Sequence, residues 1–215
     1  MGFNKDLYIM NEISSIMLSG SSEKEDIISS NARPDVVICI TGASGSLYAL
    51  RIMEELKGRF YLVFSKNGKT VFEHETGKSI DYAVSLSYKT FDNDDLSAPI
   101  ASGSFSYSTV IIIPASMNTT AKIASGISDN LITRVAAVSL KERRKLIVVP
   151  RETPLSTINL KNMTAISEAG GMIMPAMPSF YNLPETKDDV IDMFSGRVMS
   201  IMGIKNRLYR EWGSQ

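Results

Sequence analysis

The residues best able to do chemistry stand just after short apolar runs. VPRETP (149–154) sets Arg151 beside Glu152 between two prolines. That gives a cation able to hold an oxyanion next to a carboxylate able to carry a proton, although the same pair could serve as a structural ion pair. TGASGS (41–46) and PASMNTTAKIASG (114–126) supply small residues that let a backbone approach a ligand, several hydroxyls, and the free amides of a following helix start, an anion cradle. Standing alone, TGASGS reads equally as a plain turn, because its spacing is not G-x-G-x-x-G. Ser65-Lys66 ends a further apolar run, and PAMPSFY (175–181) brings Tyr181. LKERRK (140–145) reads by itself as a solvated helix end whose cations the helix dipole favours. Lys141, Arg151, Tyr181 and Arg197 together promise several anion donors near one edge of the molecule, enough for a second phosphate. Strand ends carrying Ser, Thr or Asn make a polar, nearly neutral pocket that suits a phosphate-bearing ring cofactor. Metal is disfavoured, because the chain has one histidine, one cysteine and no carboxylate cluster at ligand spacing. The histidine, His74, reads as an ordinary helix residue.

Such groups meet only if the strand ends are brought together. DVVICIT (35–41), FYLVFS (60–65), STVIIIP (108–114), KLIVVP (145–150) and GMIMP (171–175) are short runs without inside/outside alternation. Helical patterns follow them, to about Lys57, to about Thr76, through Leu140, near 157–169, and from about Lys187 to Met202. This β-α order predicts an α/β fold: a three-layer, doubly wound, Rossmann-like parallel sheet covered on both faces, with ligands at the carboxyl ends of the strands. The stretch after Thr76 is expected to be irregular, with the Asp/Asn/Ser-rich segment 87–104 a loop. Residues 1–34, rich in Ser, Glu, Lys and Asn, read as an N-terminal extension, partly disordered or with a short amphipathic helix around 6–18. Residues 35–215 read as one domain ending in a helix and an arm.

Composition narrows the partners. Of 215 residues 44% are hydrophobic, enough for one well-buried domain, and 23 basic residues balance 23 acidic ones. With a pI near 6.6, nothing in the overall field attracts nucleic acid or an anionic membrane. The early apolar stretch Tyr8 to Leu18 is too polar and short for a span or a secretory signal. A lone Cys39 inside an apolar run allows no internal disulfide and suits a reducing, cytoplasmic setting.

Taken in order, TGASGS, the pair at 65–66, SGSF (102–105), PASMNT, DNLITR (129–134), LKERR, VPRETP, PAMPSFY and Trp212 resemble the UbiX-type flavin prenyltransferases over about residues 35–212. Single motifs are loose, but the ordered set is specific. The resemblance implies a flavoprotein fold and transfer of a dimethylallyl group from dimethylallyl phosphate to N5 and C6 of reduced FMN, without metal. The product, prenylated FMN, would serve UbiD-type decarboxylases. Carried over by position, Ser44, Glu75 and Glu152 would be catalytic, with Ser44 near the reacting edge of the flavin. Gly42, Ala43, Ser44, Ser65, Ser116, Met117, Asn118, Thr119 and Arg134 would bind FMN, and Lys141, Arg151, Tyr181 and Arg197 would clamp the substrate phosphate. Family members form high-order homo-oligomers, as large as a dodecamer, with sites between subunits.

Two rivals differ in residues. The related flavin-containing cysteine decarboxylases share a PASANT-type segment. They carry a catalytic histidine shortly before it, where this chain reads PIASGSFS (99–106), and a P-x-M-N-x-x-M-W segment where this chain has VPRETP. A non-catalytic FMN-binding subunit would keep the flavin loops, but need not keep Lys141, Arg151, Glu152, Tyr181 and Arg197 together.

Overall fold

Alternate residues of a strand point to opposite faces, and in the four central strands both sets are apolar, so those strands are buried on two sides. In the computed structural model, which describes residues 33–208, the strands are β1 (Val36–Ile40), β2 (Tyr61–Phe64), β3 (Lys89–Asp92), β4 (Thr109–Ala115), β5 (Lys145–Pro150) and β6 (Met172–Ile173). They form one parallel sheet in the order β3-β2-β1-β4-β5-β6. Val36, Ile38 and Ile40 of β1 face one layer of helices with Ile111, Ile113, Ile147 and Val149. That layer comprises α1 (Ser46–Glu55), α2 (Lys66–Thr76), α3 (Ile80–Leu86) and α7 (Lys187–Met202). Val37 and Cys39 face the other with Val110, Ile112 and Val148, against α4 (Met117–Ala124), α5 (Leu131–Lys141) and α6 (Thr157–Glu168).

The doubly wound parallel fold is as expected, with differences at its edges. The irregular stretch holds a sixth strand, β3, and a short helix, α3. Of the four residues of β3 only Phe91 is buried, so its apolar signal is one residue long, as an edge strand allows. At the other edge, the run at 171–175 shrinks to two residues of β6. The helical pattern through Leu140 divides into α4 and α5. The last helix, Lys187–Met202, has the expected bounds and starts at a capping box between Thr186 and Asp189. The proposed extension at 1–34, apart from its last two residues, and Trp212 lie outside the described residues. Among the described residues no helix is long and apolar enough to cross a membrane.

With β1 and β4 adjacent, chain order reverses between them. The crevice at the carboxyl ends of these two strands is where doubly wound sheets bind ligands.

Candidate active site

The loop from Thr41 to Gly45 leaves β1 at that crevice. Gly45, with φ of 119°, turns the chain into α1 in a conformation open to glycine and offers no capping side chain. Glu75, near the end of α2, supplies the cap: its Oε2 accepts from the amides of Gly45 (2.9 Å) and Ser46 (2.7 Å). Burial alone would raise the Glu75 pKa, but hydrogen bonds from the Ser44 hydroxyl and from these amides outweigh it and hold the carboxyl below its ordinary 4.5. Two amides of the anion cradle expected at 41–46 are therefore taken by the chain's own carboxylate. The start of α1 meets a carboxylate, which takes the amides of Gly45 and Ser46.

The next two strand ends also use their hydroxyls as helix caps. Ser65 Oγ accepts from the Gly68 amide at 3.0 Å and starts α2. Ser116 Oγ accepts from the Thr119 amide at 3.3 Å, lies 3.1 Å from the Thr119 hydroxyl, and starts α4. Among the described residues the amides of Met117 and Asn118 have no acceptor. The start of α4 thus keeps free donors for an acceptor-rich ligand. FMN, with its phosphate and ring carbonyls, fits this donor set.

At the end of β5, Arg151 and Glu152 are both exposed, and Glu152 Oε1 accepts from the amide of Thr153 at 2.9 Å. They border a cavity of about 340 Å³ with Thr153, Pro175 and Met177 on its rim and Met163 inside. Tyr48, in the first turn of α1, was not singled out in the sequence. Its ring packs on Phe194 at 4.6 Å. Burial raises the pKa of its phenol, Arg151 opposes that and Glu75 adds to it, so all three side chains share one field. Thr41 was also not singled out. It is 1% exposed and joins the two loops: its Oγ1 donates to the Pro114 carbonyl (2.8 Å) and accepts from the Ser116 amide (2.7 Å).

Ser44, Glu75, Ser65, Ser116 to Thr119, Arg151 and Glu152 thus all stand at the carboxyl edge. Lys141 does not. Helix α5 begins there, where the Leu131 amide reaches the Asn93 carbonyl just past β3. It then runs back against the strands, and Lys141 ends it near Lys145, the first residue of β5. The expectation that Lys141 and Arg151 share an edge is corrected. Within one chain they stand at opposite ends of the sheet, because a helix following a strand returns the chain to where the next strand starts. Lys141 pairs with Glu142 and lies over Gly103 of SGSF. Arg144, stacked 4.2 Å from the Tyr107 ring, donates to the Gly103 carbonyl. SGSF and LKERR are therefore one amino-edge cluster.

Arg134 donates from Nε to the Ala101 carbonyl at 3.1 Å and anchors the turn before SGSF. Tyr181 is 45% exposed in the loop before α7, beside exposed Phe180 and Met177, and Arg197 is exposed midway along α7. His74 is an exposed residue of α2.

A family model described as Flavoprotein matches residues 25–206. A flavin prenyltransferase UbiX of Thermoplasma acidophilum is 51% identical over 178 residues, 82% of this chain and 99% of its own. A crystal structure of AnUbiX in complex with FMN and dimethylallyl pyrophosphate superposes with a TM-score of 0.82 at 35% identity, covering 86% of this chain and 100% of that one. A dodecameric FMN-dependent UbiX-like decarboxylase of Escherichia coli O157:H7 gives a TM-score of 0.81 at 40% identity, covering 83% and 99%.

Proposed function

From the premise that the chain belongs to the flavoprotein family, and within it to the UbiX flavin prenyltransferases, we propose that it transfers a dimethylallyl group from dimethylallyl phosphate to N5 and C6 of reduced FMN. The observation that carries this reading is the carboxyl edge itself. Free donors at the start of α4 lie across the switch point from Ser44, and a cavity rimmed by Arg151 and Glu152 opens beside them.

Bound FMN supplies the nucleophilic positions of the transfer. Around it the chain's own groups have separable tasks. Ser44, in hydrogen-bond contact with Glu75, presents its hydroxyl to the reacting edge, and the ionised Glu75 fixes that loop on α1. Gly42 and Ala43 give the backbone close approach, and Ser65, Ser116, Met117, Asn118, Thr119 and Arg134 complete the flavin cradle. Arg151 neutralises the phosphate as its bond to the allylic carbon breaks. Glu152 beside it holds or moves a proton at a phosphate oxygen.

Tyr181 and Arg197 extend the clamp. Lys141, at the opposite sheet edge, reaches it only from a neighbouring subunit, which supports a homo-oligomer with composite sites, as large as a dodecamer. Residues 35–215 form the catalytic domain and 1–34 an appended extension. The enzyme works in the cytoplasm and hands prenylated FMN to a UbiD-type decarboxylase.

Mass spectrometry of flavin after anaerobic incubation with reduced FMN and dimethylallyl phosphate tests the reaction. A prenyl-sized increment is expected, whereas unchanged flavin would leave the chain a binder. Thermal shift should favour FMN over NAD at equal concentration, and a larger shift with NAD would overturn the cofactor assignment.

A further inference from the structure

Beyond the carboxyl ends of β1 and β4 lies a crevice that two separate loops must flank at a fixed width. Each loop has internal supports of its own: Glu75 and α1 for residues 41–46, and the Ser116 cap for residues 114–119. What ties one to the other is Thr41. Its amide donates to the Pro114 carbonyl at 3.2 Å, its hydroxyl donates to the same carbonyl at 2.8 Å, and that hydroxyl accepts from the Ser116 amide at 2.7 Å. A single oxygen thus joins the last residues of β1 to the cap of α4. Its residue is 1% exposed, so water cannot readily replace the link.

We propose that Thr41 is a positioning residue of the flavin site, its hydroxyl setting the spacing between the loop that carries Ser44 and the loop that carries Ser116 to Thr119. This rests on the flavin reading given above. Valine matches the shape of threonine and keeps its methyl packing but can neither donate nor accept. In Thr41→Val the Ser116 amide loses its acceptor, and the loop at 114–119 is free to turn that amide elsewhere, taking the free amides at the start of α4 with it. Serine keeps the hydroxyl and gives up only the methyl. Arg151 meets this segment only through its backbone amide, 3.4 Å from the Ala115 carbonyl on the strand side of Ser116, and its side chain hangs on β5 with Glu152, so the substrate phosphate should not feel the change.

The experiment compares wild type, Thr41→Val and Thr41→Ser as full-length oligomers. It measures melting temperature, FMN affinity by flavin fluorescence, and KM for dimethylallyl phosphate at saturating flavin. Thr41→Val is expected to weaken FMN binding by about 10- to 100-fold, the scale of one lost buried hydrogen bond. KM for dimethylallyl phosphate should be unchanged, and Thr41→Ser should restore FMN affinity to near wild type. A Val variant that melts lower but binds FMN as wild type does would overturn the proposal and leave Thr41 a packing residue. So would equal losses in Val and Ser. If the wild-type protein itself binds no FMN, the flavin reading has failed, which is a separate result.

Discussion

Glu152 and Glu75 are both carboxylates at the carboxyl edge, but their surroundings assign them different work. Glu152 is exposed on a short loop, held by one bond from the Thr153 amide. Its replacement therefore leaves no buried charge unpaired, and Glu152→Gln should fold, assemble and bind FMN normally. If it moves protons, single-turnover formation of prenylated flavin should slow by about 10²–10⁴-fold; an unchanged rate would remove it from the chemistry. Glu75 is committed to the start of α1, and its depressed pKa makes that stabilisation complete above about 4.5 and lost as pH falls below it. Urea melts at neutral pH should show Glu75→Gln weaker by about 0.3–1 kcal/mol, with the two proteins converging in acid. The position of Glu152 at the carboxyl end of a strand was legible because it directly follows an apolar run. Thr41 and Tyr48 were not, since what matters about them is a neighbour 73 residues away in one case and a field from two distant side chains in the other.

The elements carry these residues, and one glycine sets how closely two of them approach. A Cβ on Gly68, in the first turn of α2, would lie 2.3 Å from the Ile40 carbonyl oxygen at the end of β1. Alanine would favour the helix by up to about 1 kcal/mol, but the obstacle is backbone and cannot swing aside. Gly68→Ala should therefore destabilise by about 1–3 kcal/mol overall. Because α2 also carries Glu75, FMN affinity should fall along with the melting temperature. A variant as stable as wild type would show that α2 can move without cost. The central strands and most long helices were legible because burial on both faces writes long apolar runs. β3 and α3 were missed because an edge strand with one buried residue and a helix with two leave too little pattern to see.

At the scale of the whole molecule, the sequence showed the motifs in chain order but not where the fold would place them. Helices returning along a parallel sheet sort the motifs into two groups, Arg151 and Glu152 at one edge and Lys141 with SGSF at the other, and that sorting is a property of topology. Lys141→Ala alone should weaken use of dimethylallyl phosphate while sparing FMN binding, by about 1.5–3 kcal/mol for one charge-assisted contact. Equal losses for both ligands would make the basic cluster structural. The sorting also has a genetic consequence. If each reaction centre takes one edge from each of two subunits, a cell carrying two alleles, one dead through Lys141 and the other through Arg151, still assembles some centres from the sound edge of each. Random co-assembly gives about a quarter of them, so the two inactive alleles would complement one another in the same cell.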